Sequence, residues 1–291
     1  MIEEYYRKVE EVLKSFPEEC QKNYYENKKT VEREKMERDV PNITGDYDHE
    51  DNVIELKKED AFPHELFHMS FRDKDKVGKK LFEDNEFIYS NGIAYKYMIE
   101  DELQITGKGL TEGFTEYLSR KCCSYIGHQY LYFFTDLLIR VHGEDIIHYP
   151  LKNDVKGFYE DNRFFDVFEV VRALDEVEMF VRILKRIVSD KEAIEKYLEV
   201  ATHEQKLSFS KVLVNSRVGF KKSIIDAYEV IIAEYKNSLN PHISKEDFII
   251  KLSEFLNNPD YNLVFMFDKY DFSLADKIKS IIEDFKESKH K

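Results

Sequence analysis

The segment His64-Glu65-Leu66-Phe67-His68 constrains the fold of this chain more than any other part of its 291 residues. Residues four apart lie on one face of an α-helix, so a helix here directs both imidazoles at a single ion. Asp60 is a suitable N-cap, and Pro63 falls in the first turn, where an amide hydrogen has no intrahelical partner. The segment therefore predicts a helix with two metal ligands, and Glu65 stands beside them to take a proton from a metal-activated water.

A second segment, Thr111–Leu118 (TEGFTEYL), supplies candidates for the third ligand that a catalytic zinc site needs. HELFH followed by TEGFTEYL resembles the gluzincin signature of thermolysin-like and aminopeptidase-like enzymes, in which a glutamate of a second helix completes the site. The resemblance implies a zincin-like core with Zn²⁺ held by His64, His68 and Glu112, and with Glu65 as the general base. It also implies that Glu116, one turn beyond Glu112, accepts a hydrogen bond from a ligand histidine and fixes its orientation.

The interval between the two motifs is longer than in those families, with 44 positions from His68 to Glu112, and the resemblance covers roughly residues 50 to 125. Two aromatic-rich runs, EFIY and IAYKYMI, flank Ser90-Asn91-Gly92 in this interval. Asn-Gly supplies the positive φ angles of a tight turn, so the interval predicts a β-hairpin. In the second motif, Gly113 predicts close approach of another helix.

The remaining pattern predicts a mainly α fold of the α+β class, in which a small sheet and hairpin surround the active-site helix and a helical part follows. Residues 2–38 predict two helices divided at Pro17, and residues 39–50 predict a loop. Asn52–Leu56 predicts a strand whose edge could pair with an extended peptide. From residue 110 to 126, and again from about 127 almost to the end, the pattern is helical. A boundary near residue 150 predicts a catalytic region at 1–150 and a helical subdomain at 151–291.

Composition argues against several classes of partner. The formal net charge is −14 and no basic stripe offsets it, so neither nucleic acid nor an anionic membrane is an expected partner. The first residues lack the apolar stretch of a signal peptide, and the longest apolar segment is far shorter than a membrane span. Three cysteines predict free thiols in a reducing compartment, hence a cytoplasmic protein. An abundance of Lys, Glu, Ile, Asn, Tyr and Phe suggests a bacterial source.

These features predict a zinc-dependent metallopeptidase that hydrolyses bonds in a peptide or protein substrate. One alternative is a zinc hydrolase of non-peptide amides with the same ligands, and another is a helical interaction protein whose zinc site is vestigial. Glu65 favours catalysis, because a structural zinc site has no use for a glutamate after its first histidine. His128, His203 and His242 are expected to be ordinary surface residues, and His49 is expected to lie in a solvated loop. Four residues beyond the second motif are open candidates for the oxyanion donor: His142, His148, Tyr149 and Tyr159.

Overall fold

The structure, a computed structural model, describes residues 2–35, 45–81, 87–99, 102–123, 127–189, 191–257 and 272–288. The described residues are mainly helical and include two small three-stranded sheets, which confirms the α+β, mainly α class. None of the described helices is both long and apolar enough to cross a membrane.

The N-terminal helices are α1 (Ile2–Leu13) and α2 (Glu18–Asn27), and Pro17 separates them as predicted. The expectation that helix continues to residue 38 is wrong, because strand β1 (Glu32–Lys35) follows α2, and residues 36–38 lie outside the described part. β1 pairs in parallel with a later strand. Pairing with a distant strand thus outweighs the local helical preference of this charged segment.

The first sheet has the order β1-β3-β2, with β2 (Gly45–Asp48) antiparallel to β3 (Val53–Leu56). β3 lies where a strand was predicted, but it is the central strand of the sheet. The expectation that it offers a free edge is therefore wrong, and β2 is an edge strand that packs against the helix carrying the HELFH segment. The expected loop at residues 39–50 is also wrong for β2, while residues 39–44 lie outside the described part.

The predicted active-site helix is α3 (Phe62–Ser70), and each of its residues is buried. Pro63 lies in its first turn, as predicted. Asp60 does not cap it, because a single 3₁₀ turn at Glu59–Ala61 precedes the helix and Ala61 holds the N-cap position. Such turns are frequent at helix starts, and this one joins α3 tightly to the chain that leaves β3.

The second sheet is an antiparallel meander of β4 (Ile88–Tyr89), β5 (Tyr95–Ile99) and β6 (Glu102–Thr106). The predicted hairpin is confirmed as β4 and β5, and Gly92 in its turn has a φ of 64°. β6 was not predicted. Helix α4 (Lys108–Ser119) follows and carries the second motif. It ends before the expected residue 126, and residues 124–126 lie outside the described part.

The rest of the described chain is helical, as predicted, and its helices are α5 (Gln129–His142), α6 (His148–Leu151), α7 (Val155–Tyr159), α8 (Val167–Ser189), α9 (Lys191–Val200), α10 (His203–Asn237), α11 (Lys245–Asn257) and α12 (Phe272–Glu287). One cluster of buried apolar side chains includes residues on both sides of position 150. α8 packs against α4, α5 and α10 within it. The second half of the chain therefore contributes directly to the walls around the two motifs.

Candidate metal centre

Two histidines of α3 and one glutamate of α4 converge on one point. Nε2 of His64 lies 3.2 Å from Nε2 of His68, and Oε2 of Glu112 lies 3.4 Å from the first nitrogen and 3.1 Å from the second. The two helices pack directly against each other, so residues 44 positions apart meet across one helix–helix contact. The three residues form a group that could hold a metal ion.

The spacing of these three atoms suits a small metal ion. Bonds of about 2.0–2.1 Å in a tetrahedral zinc site place neighbouring ligand atoms about 3.4 Å apart. The three separations in this cluster run from 3.1 to 3.4 Å. Two imidazoles and one carboxylate are also the donor set of many catalytic zinc sites. The residues present therefore fit a zinc ion, with no other described side chain needed as a ligand.

Thr115 fixes which nitrogen of His68 faces the cluster. Its hydroxyl donates to the backbone oxygen of Thr111 at 2.9 Å and lies 3.3 Å from Nδ1 of His68. Because the hydroxyl has one hydrogen and gives it to Thr111, it can only accept from His68. The proton of a neutral His68 therefore resides on Nδ1, and the lone pair of Nε2 is directed at the cluster.

Glu116 contacts Nδ1 of His64, as Thr115 contacts Nδ1 of His68. Its Oε2 lies 3.4 Å from Nδ1 of His64, and the carboxylate is fully buried. Burial alone would raise the pKa of Glu116, but the hydrogen bond and charge of His64, with the charges of His128 and Arg120, outweigh it and lower the pKa to about 2. A carboxylate there keeps the proton of His64 on Nδ1 and leaves Nε2 as a donor atom for a metal.

The ionisable side chains of the cluster shift one another's pKa values. Burial opposes the charged form of His64, but contacts with Glu112 and Glu116 outweigh it and raise its pKa well above the ordinary value. Burial also opposes ionisation of Glu112, but the charges of His68 and His128 and the contacts with His64 and His68 lower its pKa well below the ordinary value. A metal needs the unprotonated Nε2 of His64, so the raised pKa of His64 makes metal binding weaker as the pH falls.

Glu65 lies beside the cluster without being one of its three ligands. Its side chain is buried, and burial, opposed by the charges of His64 and His68, raises its pKa to about 7. Gly45, at the start of β2, lies against it: a Cβ at that position would be 2.7 Å from Oε1 of Glu65. The sheet edge thus packs directly on the carboxylate, which restricts where Glu65 can point.

Helix α4 is held in place by α5 and α8. A Cβ at Gly113 would collide with the Thr135 hydroxyl of α5, so the predicted close helix approach is confirmed. Asp175 of α8 accepts hydrogen bonds from the backbone amides of Gly107, at 2.8 Å, and Gly109, at 2.7 Å. A carboxylate at the start of a helix satisfies amides that have no intrahelical partner and interacts favourably with the helix dipole. Asp175 therefore sets the position of the helix that carries Glu112.

His128 also lies at the site, so the expectation that it is an ordinary surface residue is wrong. Its ring stacks on that of His64 with centroids 5.6 Å apart, and its Nε2 lies 3.6 Å from Oε2 of Glu112. Its side chain is 32% exposed, yet the surrounding protein lowers its pKa to about 4, with burial as the largest cause. Sequence gave no sign of this because His128 lies outside both motifs, just before α5.

The segment before His128 is anchored from two sides. The amide of Gly127 donates to the carboxylate of Glu116 at 3.2 Å, and Nζ of Lys185 on α8 donates to the carbonyl oxygen of Gly127 at 2.9 Å. Glu116 therefore orients one ligand and also ties the His128 segment to the ligand helix. Lys185 provides the matching contact from the C-terminal half of the chain.

A cavity of about 450 Å³ opens over the cluster, and His64, His68, Glu65, Glu112 and His128 all line it. That volume lies within the usual range for a ligand site. His49 also lines the cavity, opposite to the expectation of a solvated loop residue, and its Nε2 is 3.3 Å from the hydroxyl of Ser90.

The four residues considered for the oxyanion donor do not line the cavity. His142 is buried with its Nε2 3.0 Å from a carboxylate oxygen of Glu234, and the hydroxyl of Tyr149 donates to Asp161. His142 and Tyr149 therefore make their polar contacts outside the cavity, whereas His128 lines it.

Comparison of the chain with models of protein families, with curated proteins and with solved structures found no match. Any function assigned to the chain therefore depends on its own side chains and their geometry. Three ligands at metal-site spacing, oriented by Thr115 and Glu116 and open to a cavity, are suited to catalysis by a bound metal ion.

Proposed function

We propose that this chain is a zinc-dependent peptidase of the gluzincin type. The observation that carries the proposal is the position of Glu65, a buried carboxylate on the cavity wall beside a three-ligand cluster to which it adds no ligand. The order of the ligands along the chain, two histidines one helical turn apart and then a glutamate on a second helix, supports the gluzincin type.

His64, His68 and Glu112 would hold the zinc ion, which when bound lowers the pKa of water towards neutrality and polarises a carbonyl group. Glu65 accepts the proton from the attacking water and then delivers it to the amine that leaves. Packing between α3 and Gly45 holds its carboxylate at the cavity wall throughout. Thr115 and Glu116 keep the two imidazoles oriented during both steps.

His128 is suited to stabilise the negative charge that develops on the carbonyl oxygen of the substrate. Because burial lowers its pKa to about 4, the ring is neutral at pH 7 and carries one N–H group. Its stacking on His64 and the contact between Lys185 and Gly127 limit its movement. A donor fixed in this way needs no reorganisation as the charge appears.

A peptide is the substrate that best suits the shape of the site. β2 is the edge strand of its sheet among the described residues, and Gly45, Asp46 and Tyr47 of that strand line the cavity. An extended chain can pair with such an edge through backbone hydrogen bonds, while its side chains enter the cavity. The three cysteines are present as thiols and not as disulfides, which supports a cytoplasmic location for the enzyme.

Replacement of Glu65 by glutamine tests this proposal, because it removes the base and retains the size of the side chain. We expect about one zinc per chain in both proteins and a fall in kcat of the variant of 10²- to 10⁴-fold, the usual contribution of a general base. Zinc is measured by atomic absorption, and turnover is measured on a quenched fluorescent peptide chosen from a library.

Glu59→Gln is the matched control, because Glu59 is exposed and lies just before α3. It should leave zinc content and turnover at parent values. Parent protein that binds no zinc, or a Glu65→Gln variant that cleaves peptides at the parent rate, contradicts the proposal. Parent protein that binds zinc and cleaves no member of the library supports the vestigial-site alternative instead.

A further inference from the structure

One face of the β5–β6 pair is apolar and exposed. Successive side chains of a strand point to opposite faces, so Met98 shares a face with its cross-strand partner Leu103 and with Ile105, two residues beyond Leu103. Met98 is 45% exposed, Leu103 is 56% exposed and Ile105 is 44% exposed. We call these three side chains the apolar strip. Apolar side chains scattered singly are common on protein surfaces, whereas adjacent ones are typical of a binding surface.

The apolar strip continues a wall of the cavity. Ile105 itself lines the cavity, and so does Ala94, which directly precedes β5 and lies an even number of residues before Met98. Both cavity residues therefore belong to the face that carries the strip. β6 also packs against α8, whose buried Val181 lines the same cavity. The cavity thus opens onto the strip through apolar side chains.

Lys96 ties the same face to the first sheet. It is the cross-strand partner of Ile105, and its Nζ lies 2.6 Å from Oε1 of Glu50. Glu50 follows His49, which lines the cavity just after β2. The face therefore has α8 beside β6 and the turn after β2 beside β5, and its outer residues, Met98 and Leu103, lie outside the cavity.

The opposite face of the same two strands packs on the protein. The ring of Tyr95 lies 5.5 Å from that of Tyr159 and 5.9 Å from that of Tyr97, measured between centroids. Ile99 ends this face and is 50% exposed, about as much as the members of the apolar strip. Ile99 is therefore an apolar reference residue on the face that does not lead to the cavity.

An extended peptide is the occupant that this geometry suits. Side chains on one face of an extended chain repeat about every 7 Å, and the same rise separates Ile105 from Leu103 on β6. A peptide that leaves the cavity along these strands would place one side chain near Ile105 and the next of that face near Met98 and Leu103. Three half-exposed side chains offer far less area than the roughly 800 Å² per partner of a stable protein interface, so a second copy of the chain fits less well.

We propose that the apolar strip binds a large apolar side chain of the substrate and so selects peptides that carry one outside the cavity. This inference rests on the proposed peptidase function for its substrate, but the strip belongs to β5 and β6 and contains none of the candidate ligands. Contact with the strip removes apolar surface of both partners from water, which favours binding in proportion to the area buried. The selected residue is separated from the cleaved bond, because the residues next to that bond occupy the cavity.

The test compares peptides that differ in one side chain. A cleaved library peptide is made with Leu or Ser at each position in turn. At one position separated from the cleaved bond by at least one residue, we expect kcat/KM to be about tenfold higher for Leu than for Ser, mainly through a lower KM.

The double variant Met98→Thr/Leu103→Thr should reduce this ratio to about twofold or less, because threonine favours a strand but offers little apolar surface. Ile99→Thr is the matched control, since Ile99 is equally exposed on the opposite face of β5. It should keep the parent ratio. Equal kcat/KM for Leu and Ser at every such position in the parent, or a ratio unchanged in the double variant, overturns the apolar strip as a substrate site.

Binding measured without turnover separates this inference from the proposed function. Fluorescent peptides with a single Leu at each position in turn, or with Ser throughout, are titrated into Glu65→Gln and into the Glu65→Gln protein that also carries the double substitution. Tighter binding of a Leu form by the first protein, lost in the second, supports the strip even if the parent cleaves no peptide. Equal affinity for the Leu and Ser forms, or no binding of either, rejects the strip, and cleavage by the parent would then still support the peptidase.

Sedimentation velocity tests the other occupant, a second copy of the chain. We expect the same sedimentation coefficient for the parent and for Met98→Thr/Leu103→Thr. A parent dimer that the double substitution converts to a monomer would assign the apolar strip to a subunit interface and overturn its role in substrate binding.

Discussion

Helices α3 and α8 both form walls of the cavity, but they contribute to it in different ways. α3 supplies two candidate ligands and the candidate base within five consecutive positions, and all its residues are buried. α8 supplies none of the three ligands. It caps α4 through Asp175 and anchors the His128 segment through Lys185. Two candidate ligands and the candidate base are therefore encoded locally, while the third candidate ligand and the orientation of the histidines depend on packing between distant segments.

Substitution of Glu112 by alanine has the largest expected effect, because Glu112 is the one candidate ligand of the three that does not belong to α3. Two histidines remain, and a catalytic zinc site uses three protein ligands. We expect the zinc affinity to fall by more than the 10- to 100-fold that loss of an orienting partner causes. Competition with a chelating dye measures it.

Glu102→Ala is the control for Glu112→Ala, since Glu102 is exposed on β6, close by in the chain. It should bind zinc as the parent does. If Glu112→Ala also bound zinc with parent affinity, α3 would hold the metal without α4, and Glu112 would not be a ligand.

The next largest effect is expected from His128→Ala, which removes a group that local sequence did not reveal. Loss of one donor to a developing oxyanion reduces kcat by about 10²- to 10³-fold. Zinc content should stay at the parent level, because His128 is not one of the three ligands. Single-turnover rates on the library peptide, with zinc measured in parallel, provide the comparison.

His203→Ala serves as the control, since His203 is exposed at the start of α10. If the His128→Ala variant kept the parent kcat, His128 would not be a catalytic residue, and the catalytic groups would belong to α3 and α4. Loss of zinc in that variant would instead make His128 a further ligand.

The parts that sequence predicts are those with a local physical cause. Four-residue spacing predicts α3 and brings His64 and His68 together, Asn91-Gly92 predicts the hairpin, and Pro17 predicts the break between α1 and α2. The sequence does not predict strands β1, β2 and β6, because short polar strands are stabilised by their partner strands more than by their own residues. The sequence does not predict the role of Lys185, because basic residues also occur on any solvated helix.

Thr115→Val tests the orientation of a ligand by a neighbour on α4. Valine has nearly the same shape but cannot accept a hydrogen bond from Nδ1 of His68. We expect zinc affinity to fall 10- to 100-fold, the usual effect of losing an orienting partner. Thr115→Ser retains the hydroxyl and should restore most of the affinity. Equal affinity of the valine variant and the parent would show that the helix spacing of α3 orients His68 without help from α4.

Asp175→Asn has the smallest expected effect and measures the contribution of α8 to α4. Burial raises the pKa of Asp175 from its ordinary value of 3.8 to about 6, although the amides of Gly109 and Gly107 oppose the shift. The folded protein therefore holds this proton more tightly than the unfolded chain. The associated stability is fully present below about pH 4 and is lost as the pH rises through about 6.

Asparagine does not titrate, so the stability difference between the parent and Asp175→Asn should change with pH in favour of the variant. Between pH 4 and pH 7 we expect the parent to lose about 2 kcal/mol of unfolding free energy relative to the variant. Denaturant unfolding of both metal-free proteins across this range measures the difference, and contributions of groups common to both cancel. A difference that is constant with pH would mean that Asp175 has the same pKa in the folded protein and in the unfolded chain, and a difference that changes in favour of the parent would mean that α8 holds α4 by a charged cap.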